Sequence, residues 1–455
     1  LYDLRVELLR DGQVVDTVDS YFGMRKISLG KDEQGITRLF LNNRPLFHMG
    51  PLDQGFWPDG LHTAPTDEAL RWDLEFTRDL GFNMIRKHIK VEPARWYYWA
   101  DKLGLMVWQD MPSPSRPETE EERAQFELEL RRMIETRGNS PSIVMWVVWN
   151  EGWGQYDTER LTKWVKEMDP SRLVNNASGW FDKKVGDVMD MHRYPGPGSP
   201  MPEHDRAAVL GEYGGLGLKI EGHLWRQDIY HYKPTESKEQ LTSQYEELMR
   251  HIERLKKTPG LSAAVYTQTT DVEGENNGLV TYDREVVKVD VERVARANRG
   301  ELSPIPMTAL VEPADVKSQE WKYTTENPGE GWEKPDFSDA QWKTGSPVFG
   351  NERCFLLEPR TEWKTPDIWA RREFTLPDPA PEGRYVLLIH ADDQSEVYVN
   401  GVKAGETRGV TNYLEQPLSD EARAALRPGR NVIAVHARGT GGAQALDVGL
   451  VVYGK

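Results

Sequence analysis

Pro141–Gln155 reads "PSIVMWVVWNEGWGQ": seven apolar or aromatic residues, Ile143–Trp149, run without a break into Asn150-Glu151. Such a run suits a strand buried on both faces. From about residue 38 to 300, further strand patterns surround it. Leu39–Met49, Phe82–His88, Leu105–Gln109, Ile143–Asn150, Leu173-Val174, Val188–His192, Ala207–Glu212 and "GLSAAVYTQTT" read as eight strands. Helical spacing separates several of them. Thr66 is placed to cap a helix carrying Leu70 and Leu74 that stops at Gly81, Thr119 and Glu122 form a capping box, and a helix around Leu248–Leu255 precedes the eighth strand. Eight strand–helix units predict an α/β fold of the (β/α)8 TIM-barrel type. A doubly wound open sheet is the alternative, but "HMGPLDQGFW" stands where its glycine-rich phosphate loop would follow the first strand.

In a barrel, the C-terminal strand ends open onto the active site, so Glu151 reads as a catalytic carboxyl rather than a buried structural one. A partner stands in "AAVLGEYGG", where Glu212 ends the seventh strand. Two carboxyls facing each other across the barrel mouth are the arrangement of retaining glycoside hydrolysis, with a separation of about 5–5.5 Å.

The chain carries 73 acidic against 57 basic residues, a net charge of −16, and it is rich in aromatics with 16 Trp and 17 Tyr. That balance argues against nucleic acid and anionic membranes as partners, and no window has the apolar length of a membrane helix. Cys354 is alone, which excludes a disulfide framework and leaves the compartment open. "LYDLRVELLRDGQVV" alternates on a period of two around an Asp11-Gly12 turn signal, like the last hairpin of a β-sandwich whose earlier strands are missing.

The pieces "FGMRKI", "FLNNRPLFHMGPLDQG", "GFNMIRKH", "ADKLGLMVWQDMPS", "VVWNEGWG", "HRYPG" and "GEYGG" follow in order between Phe22 and Gly215. Together they resemble glycoside hydrolase family 2, the β-galactosidase, β-glucuronidase and β-mannosidase family. The resemblance implies that Glu151 is the acid/base and Glu212 the nucleophile. It further implies that Asn150 holds the sugar 2-hydroxyl, that Arg86 lies beneath Glu212 and that Tyr194 hydrogen-bonds it. Trp146, Trp149 and Trp153 would desolvate Glu151 and keep it protonated, while Arg86 would favour ionised Glu212.

Other residues are expected around the sugar. His88 and Lys90 share strand parity with Arg86, and His192 precedes a Pro/Gly-rich loop. Asp53 and Asp110 end the first and third strands, where sugar hydroxyls need acceptors or where local pairing would hold them, and Gln268 follows the eighth. No cofactor is expected: some family members bind Mg²⁺ or Na⁺ near the acid/base, but the sequence displays no compact ligand cluster.

Two departures from the family bear on substrate. β-Glucuronidases carry Asn-x-Lys where this chain has Glu275-Asn276-Asn277, and the mannosidase-type asparagine doublet is replaced by Val148-Trp149. A neutral sugar is therefore expected, β-galactoside by default, with a β-glucoside, arabinoside, furanoside or glucuronide as alternatives. A different class of reading is a catalytically silent carbohydrate-binding fragment. Beside the carbohydrate substrate, the expected partners are the missing N-terminal domains, which in the family often help build the active site, or a second copy of the chain.

The expected domains are residues 1–37, the end of an Ig-like sandwich; 38–302, the barrel; and 303–455, a galactose-binding-like β-sandwich with an Asn400-Gly401 hairpin turn. In that last domain Trp332, Trp342, Trp363 and Trp369 would either stack on sugar or, as the favoured reading, pack as core.

Overall fold

A computed structural model of the chain describes residues 1–455 apart from 115, 116, 201, 304, 305, 315, 352–358, 410, 440, 455 and the side chain of 412. Cys354 lies outside the described residues. The chain divides into two units, Leu1–Leu302 and Ser303–Lys455.

The first unit is built on a parallel eight-stranded sheet. Its strands are β1 (His48–Asp53), β2 (Met84–Lys87), β3 (Met106–Asp110), β4 (Ile143–Val147), β5 (Leu173–Asn175), β6 (Val188–Arg193), β7 (Ala207–Gly214) and β8 (Ala263–Thr267). Their order is 5-4-3-2-1-8-7-6, so each strand lies beside its sequence neighbour, with β1 beside β8. Between β5 and β6 the ring is nearly closed: Asp187 N donates to Val174 O at 2.8 Å, and Val174 N to Asp187 Oδ2 at 2.7 Å. This is the TIM barrel expected from the strand rhythm.

Helices α1 (Asp67–Asp79), α2 (Ala94–Leu103), α3 (Glu120–Arg137) and α4 (Thr158–Met168) follow the first four strands. Helices α5 (Lys238–Lys257) and α6 (Val291–Asn298) follow β7 and β8. The caps are those read from sequence: Thr66 accepts from Ala69 N, and Thr119 and Glu122 bond reciprocally. No helix follows β5 or β6 among the described residues, a departure from eight full units. Pro195, Pro197 and Pro200 explain the second case, since each lacks the N–H an inner helical turn would use.

The first strand is also a correction. Leu39–Met49 is not one strand, because Asn42 and Asn43 both take positive φ, 51° and 63°, and turn the chain sharply. Thr37–Leu41 instead pairs with Ile27–Lys31 and Arg44-Pro45 in a small antiparallel sheet. Ile27 and Leu39 from that sheet share a core with Leu52, Met84, Met106, Met145, Val209 and Val265 of the barrel strands. Before it, Tyr2–Arg10 and Gln13–Phe22 form an exposed hairpin turned by Asp11-Gly12.

The second unit holds two six-stranded antiparallel-rich sheets around one apolar core. Trp363 is buried there, and Trp369 stacks on His436 at 4.7 Å. Trp332 and Trp342 are half-buried edge-on to Tyr398 and Phe337. Asn400-Gly401 turns between two strands as expected.

Candidate active site

Strand β4 ends at Val147, and the next residues are held by the segment after β5. Glu151 N donates to Ser178 O and Ser178 N donates to Trp149 O, each at 2.8 Å. Glu151 itself takes a left-handed conformation, φ 51°, which lifts it out of strand geometry. Glu212 lies within fully buried β7 and is 6% exposed.

One acceptor or donor atom from each of Glu151, His192 and Glu212 lies within 4.8 Å of the others. His192 Nδ1 stands between the two carboxyls, 2.8 Å from Glu151 Oε1 and 3.5 Å from Glu212 Oε2. The other groups converge on Glu212. Arg86, fully buried, donates from Nη1 to Glu212 Oε1 at 3.2 Å and to Gly211 O at 3.0 Å. Its Nη2 donates to Asn150 Oδ1 at 2.9 Å, and Asp110 receives a bidentate pair from Nε and Nη2. Tyr194 Oη donates to Glu212 Oε2 at 2.6 Å and lies 2.6 Å from Thr267 Oγ1, with its ring stacked on Tyr232 at 3.7 Å.

The electrostatics follow from this crowding. Burial opposes charge on Arg86, but Asp110 and Glu212 outweigh it and raise its pKa. Asp110 is likewise held below its ordinary value: burial raises it, and Arg86 with His88 overcomes that. Burial and the neighbouring Glu212 charge push the Tyr194 phenol far up, so it stays a donor. The His192 hydrogen bond lowers the Glu151 pKa against the effect of burial.

That last direction overturns the expectation that tryptophans keep Glu151 protonated by desolvation. Trp146 and Trp149 belong to the apolar core with Phe126 and Leu130, and Trp153 is 61% exposed. A strand-end aromatic run fills the space behind the strand, not the mouth before it.

The structure brings Asn150, Arg86, Tyr194 and His192 to the two carboxyls. His88 joins them through Asp110, Nδ1 to Oδ2 at 2.9 Å. Lys90 does not join: Ile89 takes φ 51° and breaks the parity, and Lys90 Nζ bonds Gly55 O and Glu92 instead. Asp53 is occupied locally, by Lys87 Nζ at 2.5 Å and Gly55 N at 2.8 Å. Gln268 links Gln54, Glu275 and Asn277 in a side-chain chain. Burial first, and then Glu212, raises the pKa of Glu275, so this third carboxyl feels the site.

Sequence reading missed Ser178, Asp190, Thr267 and Tyr232. A signal existed for Asp190, which shares strand parity with His192 in "VMDMHR". The compact cluster of Glu151, His192 and Glu212 was also invisible, because its members come from three separate strand ends. Its donor atoms already serve one another, Arg86 and Tyr194, and the Arg86 guanidinium beside Glu212 opposes a cation.

Residues 37–203 match the family model of the glycosyl hydrolases family 2 TIM barrel domain. A β-galactosidase of Vibrio cholerae is 26% identical over 228 residues, 45% of this chain and 22% of that protein. A β-glucuronidase of Streptococcus agalactiae is 28% identical over 229 residues, 43% of this chain and 37% of that protein. The chain thus spans well under half the length of these curated relatives. Among solved structures, β-glucuronidase 3 of Bacteroides uniformis has a TM-score of 0.51 at 16% identity, covering 100% of this chain and 54% of that one. A β-galacturonidase of Eisenbergiella tayi bound to galacturonate has a TM-score of 0.50 at 20% identity, over 64% of this chain and 56% of that one. Both are likenesses of fold. Residues 37–203 of the barrel thus match the TIM barrel domain of the glycosyl hydrolases family 2.

Proposed function

We propose that this chain carries the catalytic barrel of a retaining exo-glycosidase that acts on terminal β-glycosides by double displacement. The observation that carries the reading is the approach of Glu151 and Glu212, whose nearest oxygens lie within 4.8 Å. Inverting enzymes need roughly 6.5–9.5 Å to admit a water between the carboxyls. Glu212, buried on Arg86 and Tyr194, is the nucleophile: its oxygen attacks the anomeric carbon as the glycosidic bond breaks. Glu151, half-exposed at the mouth, gives a proton to the leaving oxygen and later takes one from the water that hydrolyses the glycosyl-enzyme. Asn150, oriented by Arg86, is placed to hold the sugar 2-hydroxyl, a contact that strengthens in the transition state.

A neutral sugar suits the polar wall better than an acidic one, with β-galactoside the first candidate. Glu275 brings negative charge near Glu212, Lys87 and Lys90 are paired with Asp53 and Glu92, and Lys288 with Asp271. No metal is required by this chemistry. The test is a panel of nitrophenyl β-glycosides, neutral sugars and glucuronide, with the product anomer followed by proton NMR. The first-formed β-anomer supports the reading; a first-formed α-anomer refutes it.

A further inference from the structure

Behind Glu151 runs a buried chain of polar groups that the double-displacement scheme leaves without a task. Asp190, on β6 and buried, receives three donors: Gly211 N on Oδ1 at 2.7 Å, and Asn175 Nδ2 and Ser178 Oγ on Oδ2 at 2.6 and 2.7 Å. Three donors aimed at two oxygens leave the carboxylate as the form that satisfies them all. The single Ser178 proton is therefore committed to Asp190. Ser178 Oγ also lies 2.7 Å from His192 Nε2, and only as an acceptor can it complete that contact, so Nε2 carries hydrogen. At the other end of the ring, Nδ1 lies 2.8 Å from Glu151 Oε1. A carboxylate and a bare Nδ1 cannot bond each other; a proton must lie between them.

Resting on the glycosidase reading above, we infer that His192 is the positioning residue of the acid/base, fixed as its Nε2–H tautomer by Ser178 and Asp190, and that it shares with Glu151 the single proton delivered to the leaving oxygen. His192 is then no sugar ligand, which corrects the expectation from sequence. The proton count closes. Before reaction the pair holds one proton between Nδ1 and Oε1. That proton passes to the glycosidic oxygen as its bond to the anomeric carbon breaks and the Glu212 oxygen bonds to that carbon. The pair is left as neutral imidazole facing carboxylate, with no proton between them. In the second step the attacking water gives its proton back to that gap as its oxygen displaces Glu212.

The charges that face His192 come from every side. Glu151 lies beyond β4, Asp190 is on its own strand, Glu212 is on β7, and Arg86 reaches from β2. Burial opposes the imidazolium, yet Glu212, Glu151 and Asp190 outweigh burial and Arg86 and raise the His192 pKa. The pair thus keeps its proton to higher pH than a carboxyl alone, which is what an acid working near neutrality needs.

The test uses His192→Asn, whose amide can occupy the Nδ1 position without accepting a shifting proton, and Ser178→Ala, which frees Nε2. On phenyl glycosides, which need the acid, the basic limb of kcat/KM should move acidward by about one pH unit or more in His192→Asn, and less far in Ser178→Ala. KM should change little, and dinitrophenyl glycosides, which leave without a proton, should lose the effect on the first step. An unmoved limb with a raised KM would make His192 a sugar ligand and overturn the inference. If His192→Asn does not fold, Ser178→Ala carries the same readout. Ring ¹⁵N NMR adds an arm that needs no turnover. It should report Nε2–H, and a His192 titration that drops by about one unit in Glu151→Gln; an unshifted titration refutes the shared proton. Absence of turnover on every glycoside, with that NMR shift present, would strike the glycosidase reading and leave the proton pair supported.

Discussion

Arg86 Nη1 lies 3.2 Å from Glu212 Oε1, and the guanidinium is wholly buried. The same group holds Asp110 by two bonds and Asn150 by one, so a single cation orders Glu212, the proposed nucleophile, and the Asn150 amide together. Replacing Arg86 by Met would leave buried Asp110 without its main counter-charge. Breaking a buried pair in this way costs about 3–5 kcal/mol. The variant should melt well below the parent by calorimetry, and a melting point within a degree or two would place little weight on the pair.

Asp110 also predicts acid behaviour. Its folded pKa is depressed, by Arg86 and His88 against burial, so ionised Asp110 stabilises the fold above its unfolded pKa of about 3.9. That contribution should be lost as pH falls through the lower folded value. Urea unfolding of the parent should therefore weaken below about pH 4, and Asp110→Asn should flatten this part of the curve. An equally steep loss in Asp110→Asn would assign the acid sensitivity to other carboxyls.

The two proposed catalytic carboxyls should separate by kinetics. Glu212→Ala should abolish turnover, and azide should not restore a retained product. Glu151→Ala should still form the glycosyl-enzyme from activated aryl glycosides but lose about 10²–10⁴-fold in the second step. Azide should then yield a retained glycosyl azide. The reverse pattern would exchange the two roles.

Discrimination against acid sugars is the next expectation. A glucuronide carboxylate would meet Glu275 where a cation is needed, and losing a buried charge pair costs about 2–5 kcal/mol, roughly thirtyfold or more in kcat/KM. Glu275→Gln should narrow that gap on matched galactoside and glucuronide. A parent enzyme as fast on the glucuronide would defeat the neutral-sugar reading.

Much of this site was legible because a barrel makes strand ends meet. Apolar runs that stop at Glu151 and Glu212 are visible in a linear sequence, and so is the parity linking Arg86 to His88. What escaped depends on turns and on tertiary partners. Asn42-Asn43 broke an apparent strand by taking positive φ twice, and Ile89 did the same to the parity of Lys90. Ser178 carries no pattern at all: it reaches His192 only because the segment after β5 lies against the Asp190 and His192 side chains of β6. The tryptophans misled because residues next to Glu151 in sequence face other layers in space.

Gly211, directly before Glu212, gives the last prediction. A Cβ built there would lie 2.4 Å from both Asp190 carboxylate oxygens and 2.6 Å from Ser178 Oγ, closer than side chains approach one another. Gly211 N also donates to Asp190 Oδ1, and Gly211 O accepts from Arg86. Gly211→Ala thus presses on the buried polar chain at its origin without touching the sugar. Overpacking of this kind costs about 1–3 kcal/mol, so the fold should survive with a lowered melting point. Displacing Asp190 should loosen Ser178 and then His192, so the basic limb of kcat/KM should shift acidward as it does for Ser178→Ala. Glu212 keeps Tyr194, so dinitrophenyl glycosides should still be cleaved. A variant that loses stability yet keeps the parental pH profile would mean that Asp190 supports the barrel alone and has no hold on Glu151.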